Sequence, residues 1–315
     1  MKTTLYRLLP FRQLILLSFL MLFSAVSSYS QTFEWEKIIG MANVQNQCDA
    51  SANIYTKRYV FGGVYSSMQT GMGGYLVFTN SNGDTINTKK YPQYHNGRIK
   101  SLAATPDSTF LAIGSYYDTL SGFSAGFLFK ANAQGDIIWQ KQYPQVYVSN
   151  KNKLLTVPDG YLYISQDDIQ LTKFDGLGNI IWQKSDARAG GHDITLLKDG
   201  SYLASGFIRD PNSPSSQSNY YKTSPYLVQL RPNGDTIRTK ILGSVYDHDL
   251  LNTARQTSDG GLILAGRYVQ NTNGTRMQGL VIKLDSDCNQ EWQQFFYPKT
   301  GAYNDGCELF NVQET

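Results

Sequence analysis

Three histidines and the carboxylates beside them are the side chains in this sequence best suited to chemistry. His192-Asp193 and His248-Asp249 are adjacent pairs, and His95 stands alone. An imidazole next to a carboxylate can hold a divalent cation, move a proton or orient a polar ligand. Each histidine precedes a strand-like segment, and Cys48-Asp49 and Cys307-Glu308 fall at comparable places. The pattern reads as one register of a repeat. His95, His192, Asp193, His248 and Asp249 are therefore the candidate ligand site, set at the mouth of the channel that such a repeat would surround. The competing reading is structural: each acid accepts backbone N–H groups in a turn, and the histidine packs beside it.

Other motifs carry less. Asp285-Ser286-Asp287-Cys288-Asn289 opens like a calcium loop, but Gln290 stands where the loop needs glycine and Phe296 where it needs a bidentate glutamate. These residues read as a hairpin turn. Gly71-Met72-Gly73-Gly74 lacks the strand-then-helix context of a phosphate-binding loop. There is no G-x-S-x-G, H-E-x-x-H or P-loop sequence, so no catalytic set, metal set or cofactor is assigned. Cys48, Cys288 and Cys307 lack metal-ligand spacing, and their odd number leaves at least one thiol unpaired or paired outside the chain. A net charge of +3 with 17% charged residues is too mild to argue for nucleic acid.

The elements that must position these residues come from a repeated hairpin. Residues 171–184 (LTKFDGLGNIIWQK) read as strand, tight turn, strand, and 75–90, 127–141, 226–240 and 280–294 fit over them. The turn falls at Gly83, Gly135, Gly178, Gly234 and Cys288, a spacing of 43 to 56 residues. Upstream of each hairpin lies a second one. Its turns are Asp107-Ser108, Asp159-Gly160, Asp199-Gly200 and Asp259-Gly260, followed by strands such as 202–207 (YLASGF). Recurrent glycines at 62, 114, 206 and 266 read as places where neighbouring sheets approach closely. Antiparallel four-stranded units at this period predict an all-β chain, a β-propeller. Five units are expected, over 48–91, 98–143, 151–184, 193–242 and 250–297. An N-terminal closing strand is expected around residues 33–40, and a sixth unit begins at Asp305. The ring is thus expected to be incomplete within residues 31–315. Trp35, Trp139, Trp182 and Trp292 share the second strand of the hairpin and are assigned to packing between units.

Residues 1–30 read as a signal peptide. Lys2, Arg7 and Arg12 form a basic leader, residues 14–23 an apolar run of ten, and small residues lead to a cleavage site near Ser30. The run is shorter than the roughly 20 residues that span a bilayer, so no membrane span is expected in the mature chain. No cysteine follows it to carry a lipid. The polar loop at 210–221 reads as a surface excursion, and Asn273-Gly274-Thr275 has the form of a glycosylation sequon.

The segments at Thr257–Gly266 (TSDGGLILAG), 280–285 (LVIKLD) and 178–184 (GNIIWQK) resemble the delta-60 type repeats, related to quinoprotein-like propellers, of secreted Bacteroidetes proteins. The resemblance covers residues 33–315 and implies export, commonly by the type IX secretion system. Quinoprotein dehydrogenases often carry adjacent cysteines against the quinone, and no two cysteines here are adjacent. The expected role is a secreted or cell-surface scaffold that binds a glycan or a protein without catalysis. The alternative is an enzyme or accessory domain, glycan-acting or quinoprotein-like.

Overall fold

Alternating side chains and Asp/Gly turns decide where each strand starts and stops in the computed structural model. It describes residues 45–314 except 56–57, 68–70, 147, 150–151, 166–168, 210–222, 244–248, 271–275 and 298–305. Twenty strands occur among the described residues, in five sheets of four. The first sheet holds Gln45–Tyr55 (β1), Arg58–Ser67 (β2), Gly71–Asn80 (β3) and Thr85–His95 (β4). The second holds Arg98–Ala104 (β5), Phe110–Asp118 (β6), Phe123–Ala131 (β7) and Ile137–Tyr143 (β8). The third holds Asn152–Val157 (β9), Gly160–Ser165 (β10), Ile169–Phe174 (β11) and Ile180–Asp186 (β12). The fourth holds Ala189–Leu196 (β13), Tyr202–Arg209 (β14), Thr223–Leu230 (β15) and Thr236–Ile241 (β16). The fifth holds Leu250–Gln256 (β17), Leu262–Gln270 (β18), Arg276–Leu284 (β19) and Gln290–Phe296 (β20).

Within each sheet the strands pair antiparallel in chain order, and the first strands β1, β5, β9, β13 and β17 are successive neighbours. This is a β-propeller with five described blades. The fourth strand of each blade is less buried than the second and third. All six residues of β10 are buried, because its sheet is covered on both faces, whereas β8 and β12 alternate half-buried with exposed residues. No helix among the described residues is long and apolar enough to cross a membrane.

The hairpin between the third and fourth strands is closed by one recurring device. The Asp175 carboxylate accepts the Leu177 and Asn179 N–H groups at 2.9 and 2.8 Å, and Gly178 N–H reaches the Asp175 carbonyl at 3.1 Å. Asp285 does the same with Asp287 and Asn289, at 2.9 and 2.7 Å. The calcium-like sequence is thus turn chemistry, as expected. The other hairpin carries a second device. Its aspartate is pinned by a lysine from the third strand, Lys130 on Asp107 at 2.7 Å, Lys173 on Asp159 at 2.5 Å and Lys283 on Asp259 at 2.9 Å.

The seams between blades use the tryptophan register. Trp182 Nε1–H donates to the Pro232 carbonyl at 3.0 Å, and its ring covers Gly234, where a Cβ would come within 3.1 Å of the indole. Trp139 covers Gly178 in the same way, at 2.8 Å. The turn glycine is therefore fixed twice, by its positive φ of 78–88° and by the ring of the preceding blade. Where the preceding blade offers Arg238 in this register, the ring is missing and the turn residue is Cys288, with φ of 64°. Trp292, in the fifth blade, is 47% exposed. We expect Trp182→Ala to cost about 2–3 kcal/mol, below the full cost of deleting a buried indole because this ring is only half-buried. Trp292→Ala should cost under about 1 kcal/mol. Equilibrium urea unfolding of both variants checks the ranking.

The recurrent glycine of the second strand has a different cause from the one its spacing suggests. In β13, Gly191 pairs with Gly206 and Asp193 with Ser205, so His192 is the extra residue of a β-bulge. The bulge turns the Gly190 carbonyl onto Gly206, where a Cβ would lie 1.9 Å from that oxygen. The same clash would occur at 1.8 Å for Gly63, 2.1 Å for Gly114 and 2.0 Å for Gly266, opposite bulges at Asp49, Lys100 and Asn252. The glycine thus makes room for its own blade's first strand, and the first blade's copy is Gly63. Only Gly62 behaves as expected, facing Ile99 of the next blade at 2.8 Å. The third blade carries Ser165 at this register, and β9 has no bulge there.

Residues 306–314 run beside the fifth blade without regular strand pairing. Leu309 N–H reaches the Gly266 carbonyl at 3.1 Å, and Asn252 donates to Glu308 at 2.8 Å and to the Leu309 carbonyl at 2.9 Å. They lie next to β17, where the first strand of a following unit was expected. The leader, Trp35 with residues 33–40, the 210–221 loop, the sequon and Asp305 lie outside the described residues.

Candidate functional site: the charge cluster on the first strands

Three residues on neighbouring first strands, each six positions before the turn aspartate Asp159, Asp199 or Asp259, stand level with one another. Asp193 follows the bulge in β13, Thr253 follows the bulge in β17, and Lys153 takes the matching place in the bulge-free β9, paired with Ile164 as Asp193 is paired with Ser205. Three blades therefore bring a cation, an anion and a hydroxyl side by side. Lys153 Nζ donates to Asp193 Oδ1 at 2.5 Å, Thr253 Oγ1 donates to Asp193 Oδ2 at 2.7 Å, and Arg255 also pairs with Oδ2. The Asp193 carboxylate is 6% exposed, against 29% and 32% for the Lys153 and Arg255 side chains.

Burial works to raise the Asp193 carboxyl, but the charges of Lys153 and Arg255 and the Lys153 and Thr253 hydrogen bonds outweigh it and hold it below the ordinary carboxylate value. The acid is ionised at neutral pH, with donors on both oxygens. Two cations against one anion leave the cluster with an excess positive charge on its more exposed side. Such an arrangement fixes three blades relative to one another and can attract an anionic or hydroxyl-rich ligand.

A second pair ties the first blade to the second. Arg98 grips Asp49 through Nε and Nη2, the latter at 2.6 Å, and this hydrogen-bonded carboxylate raises the Arg98 guanidinium. Lys100, on the bulge, is pushed down by burial and by the neighbouring Arg98. Glu308, in the segment beside the fifth blade, pairs with Arg267 of β18 at 3.6 Å.

Of the five residues singled out from the sequence, the four described ones do not form one cluster. His192 and Asp193 lie within β13, both buried. His192 Nδ1–H donates to the Leu251 carbonyl of the next blade at 2.9 Å, and its ring meets Phe207 edge-on at 5.5 Å. Asp249, also buried, accepts the Val269 N–H at 2.9 Å just before β17, at the end of the β17–β18 pair away from its turn, and its backbone bonds Thr223 of the fourth blade. His95 is exposed at the end of the outer strand β4, opposite Gly73. His248 lies outside the described residues. The common register does not hold for the described residues: His192 is a bulge residue, Asp249 sits three residues before the bulge of its strand, and His95 ends an outer strand. No group of three His, Cys, Asp or Glu able to hold a metal occurs among the described residues. Cys48, Cys288 and Cys307 are free thiols, exposed, buried and half-buried respectively.

Sequence reasoning missed Lys153, Thr253 and Arg255, the partners of Asp193. A signal was present. Aligning the units on the turn aspartates Asp159, Asp199 and Asp259 brings Lys153, Asp193 and Thr253 into one column.

No protein-family model matches the chain, and no curated protein matches it in sequence. Solved structures resemble it at low identity. A mannose phosphorylase from Leishmania mexicana shares 10% identity over 82% of this chain and 86% of that chain, with a TM-score of 0.41. The Synechocystis apocarotenoid oxygenase shares 11% over 76% and 58%, with a TM-score of 0.42. The Dos1 propeller shares 12% over 66% and 61%, with a TM-score of 0.37. At these values the fold assignment rests on the five sheets themselves, and this chain is a β-propeller by their order and pairing.

Proposed function

We propose that this chain is an exported β-propeller scaffold that binds a glycan or protein at the cell surface without catalysis. The observation that carries it is the use of charge on the first strands. The acids Asp49, Asp193 and Glu308 are each engaged by cations or donors of a neighbouring strand or blade, which suits a rigid frame better than a general acid or base. The excess positive charge beside Asp193 favours an acidic glycan or an acidic protein surface. Export is supported by the basic leader and apolar run of residues 1–30. Passage through a type IX system of Bacteroidetes is supported by the delta-60 type repeat pattern.

The test is retention of the purified protein on immobilised acidic and neutral glycans and on intact cells, run beside turnover assays with chromogenic glycosides and quinone-coupled dyes. Saturable, salt-sensitive retention without turnover is the expected result. Turnover that disappears in Asp193→Asn would overturn the scaffold reading.

A further inference from the structure

The seam between the first and second blades departs from the others at three adjacent registers. Asn87 takes the place of Trp139, Trp182, Arg238 and Trp292, each four residues after its hairpin turn residue. Its cross-strand partner Phe78 takes the place of Lys130, Lys173, Gln229 and Lys283. Thr79 takes the place of Ala131, Phe174, Leu230 and Leu284, apolar in every other described blade.

These exchanges have a joint consequence. Phe78 moves the aromatic ring one strand inward, onto Gly135, where a Cβ would come within 2.9 Å of it. The outer position, which Trp182 fills against Pro232, is left to Asn87, whose Nδ2 reaches the Gln134 carbonyl, one residue along from the counterpart of Pro232, at 3.3 Å. A partly enclosed cleft of about 230 Å³ remains, walled by Ile54, Phe78, Ile86 and Ala133 and backed by Thr79, with Arg58 and Tyr59 also lining it. Thr79 is fully buried, and its hydroxyl has no hydrogen-bond partner among the described residues. An orphaned hydroxyl in an apolar wall costs about 1–3 kcal/mol, a cost that an apolar residue at this register avoids in the other four blades.

We propose that this cleft is a binding site for a small planar aromatic molecule bearing one hydrogen-bonding group, such as a ring N–H or a phenolic O–H. The ring would occupy the outer part of the seam, beside Asn87, and a small shift of the wall that covers Thr79 would bring its polar group to the hydroxyl. Size is adequate, since apolar protein cavities of about 150 Å³ already hold benzene. The site is separate from the charge cluster on the first strands, and its existence does not depend on the role proposed for that cluster.

Titration of the full chain with indole and with phenol, read by calorimetry and ligand-observed NMR, tests the site. Saturable binding of at least one probe is expected. Asn87→Trp and Thr79→Leu each install a residue found at that register in another blade, and each is expected to weaken binding about tenfold or more. Thr79→Val keeps the shape and removes the hydroxyl, and should weaken phenol several-fold while leaving benzene unchanged. Failure of both probes to bind, or binding undiminished in both filled variants, would overturn the site. Equal loss of phenol and benzene in Thr79→Val would overturn the role of the hydroxyl. If Asn87→Trp fails to fold, Thr79→Leu decides alone.

Discussion

Asp193→Ala is expected to lower the stability of the fold by about 3 kcal/mol, the low end of the range for removing one partner from a buried ion cluster. The lower figure follows from geometry. Lys153 and Arg255 are each about one-third exposed, so water recovers part of their solvation when the carboxylate is gone. Thr253 loses its acceptor outright, and three blades lose their common fastening. Adding Lys153→Met to Asp193→Ala should recover part of the loss, because the stranded cation is removed with its partner. Urea unfolding of the two single variants and the double variant measures the coupling. Additive losses would show that the cluster does not act as a unit.

The same residue sets a pH signature. Its carboxyl is held below the ordinary value of 3.8 in the folded chain, so its contribution to stability is complete above that value. The contribution fades as the pH falls through the lower folded value. Wild type should lose stability steeply on acidification below about pH 4, and Asp193→Asn should show a shallower slope there. Unfolding free energies measured across that window by fluorescence compare the two slopes.

Gly206→Ala is expected to be at least as damaging, about 4 kcal/mol or more, the level reserved for a side chain that cannot be housed. The added methyl would sit 1.9 Å from the Gly190 carbonyl oxygen and 2.9 Å from its carbon, both backbone atoms that cannot rotate away. Relief requires opening the bulge, which shifts the strand by one residue and carries His192 and Asp193 out of register with Leu251 and Lys153. Ser165→Ala, at the same register of the bulge-free third blade, should cost under about 1.5 kcal/mol. Thermal unfolding of the two variants distinguishes a bulge requirement from a general intolerance of the second strand. Equal and small shifts would reject it.

Much of the architecture was legible. All five units appear as four-stranded sheets, with edges within a few residues of those expected. Turns at Asp175, Asp285 and Asp259 formed as their sequences indicate, because an Asp or Asn carboxyl or amide oxygen closes the loop within four residues. Trp139 and Trp182, assigned to packing between units, each lie on the turn glycine of the following blade. The candidate site was less legible. His192 and Asp193 were identified, but the residues that complete the arrangement lie 40 and 62 positions away, on other blades. His95 and Asp249 resembled them only in sequence order.

The sequence by itself determined the strands, the hairpins and their period, since these depend on hydrogen bonds and side-chain alternation within a few tens of residues. Only the tertiary structure decided which polar groups meet. A bulge adds one residue to a first strand, and with a side-chain period of two that single residue reverses which face a group presents. Lys153, Asp193 and Thr253 lie between the bulge position and the turn, so they stand level although β9 lacks the bulge that β13 and β17 carry. The empty seam at Asn87 follows the same logic. Each of Phe78, Thr79 and Asn87 is an ordinary residue in its own strand, and a cleft exists only because the next blade's turn brings Ala133 and Gln134 against all three.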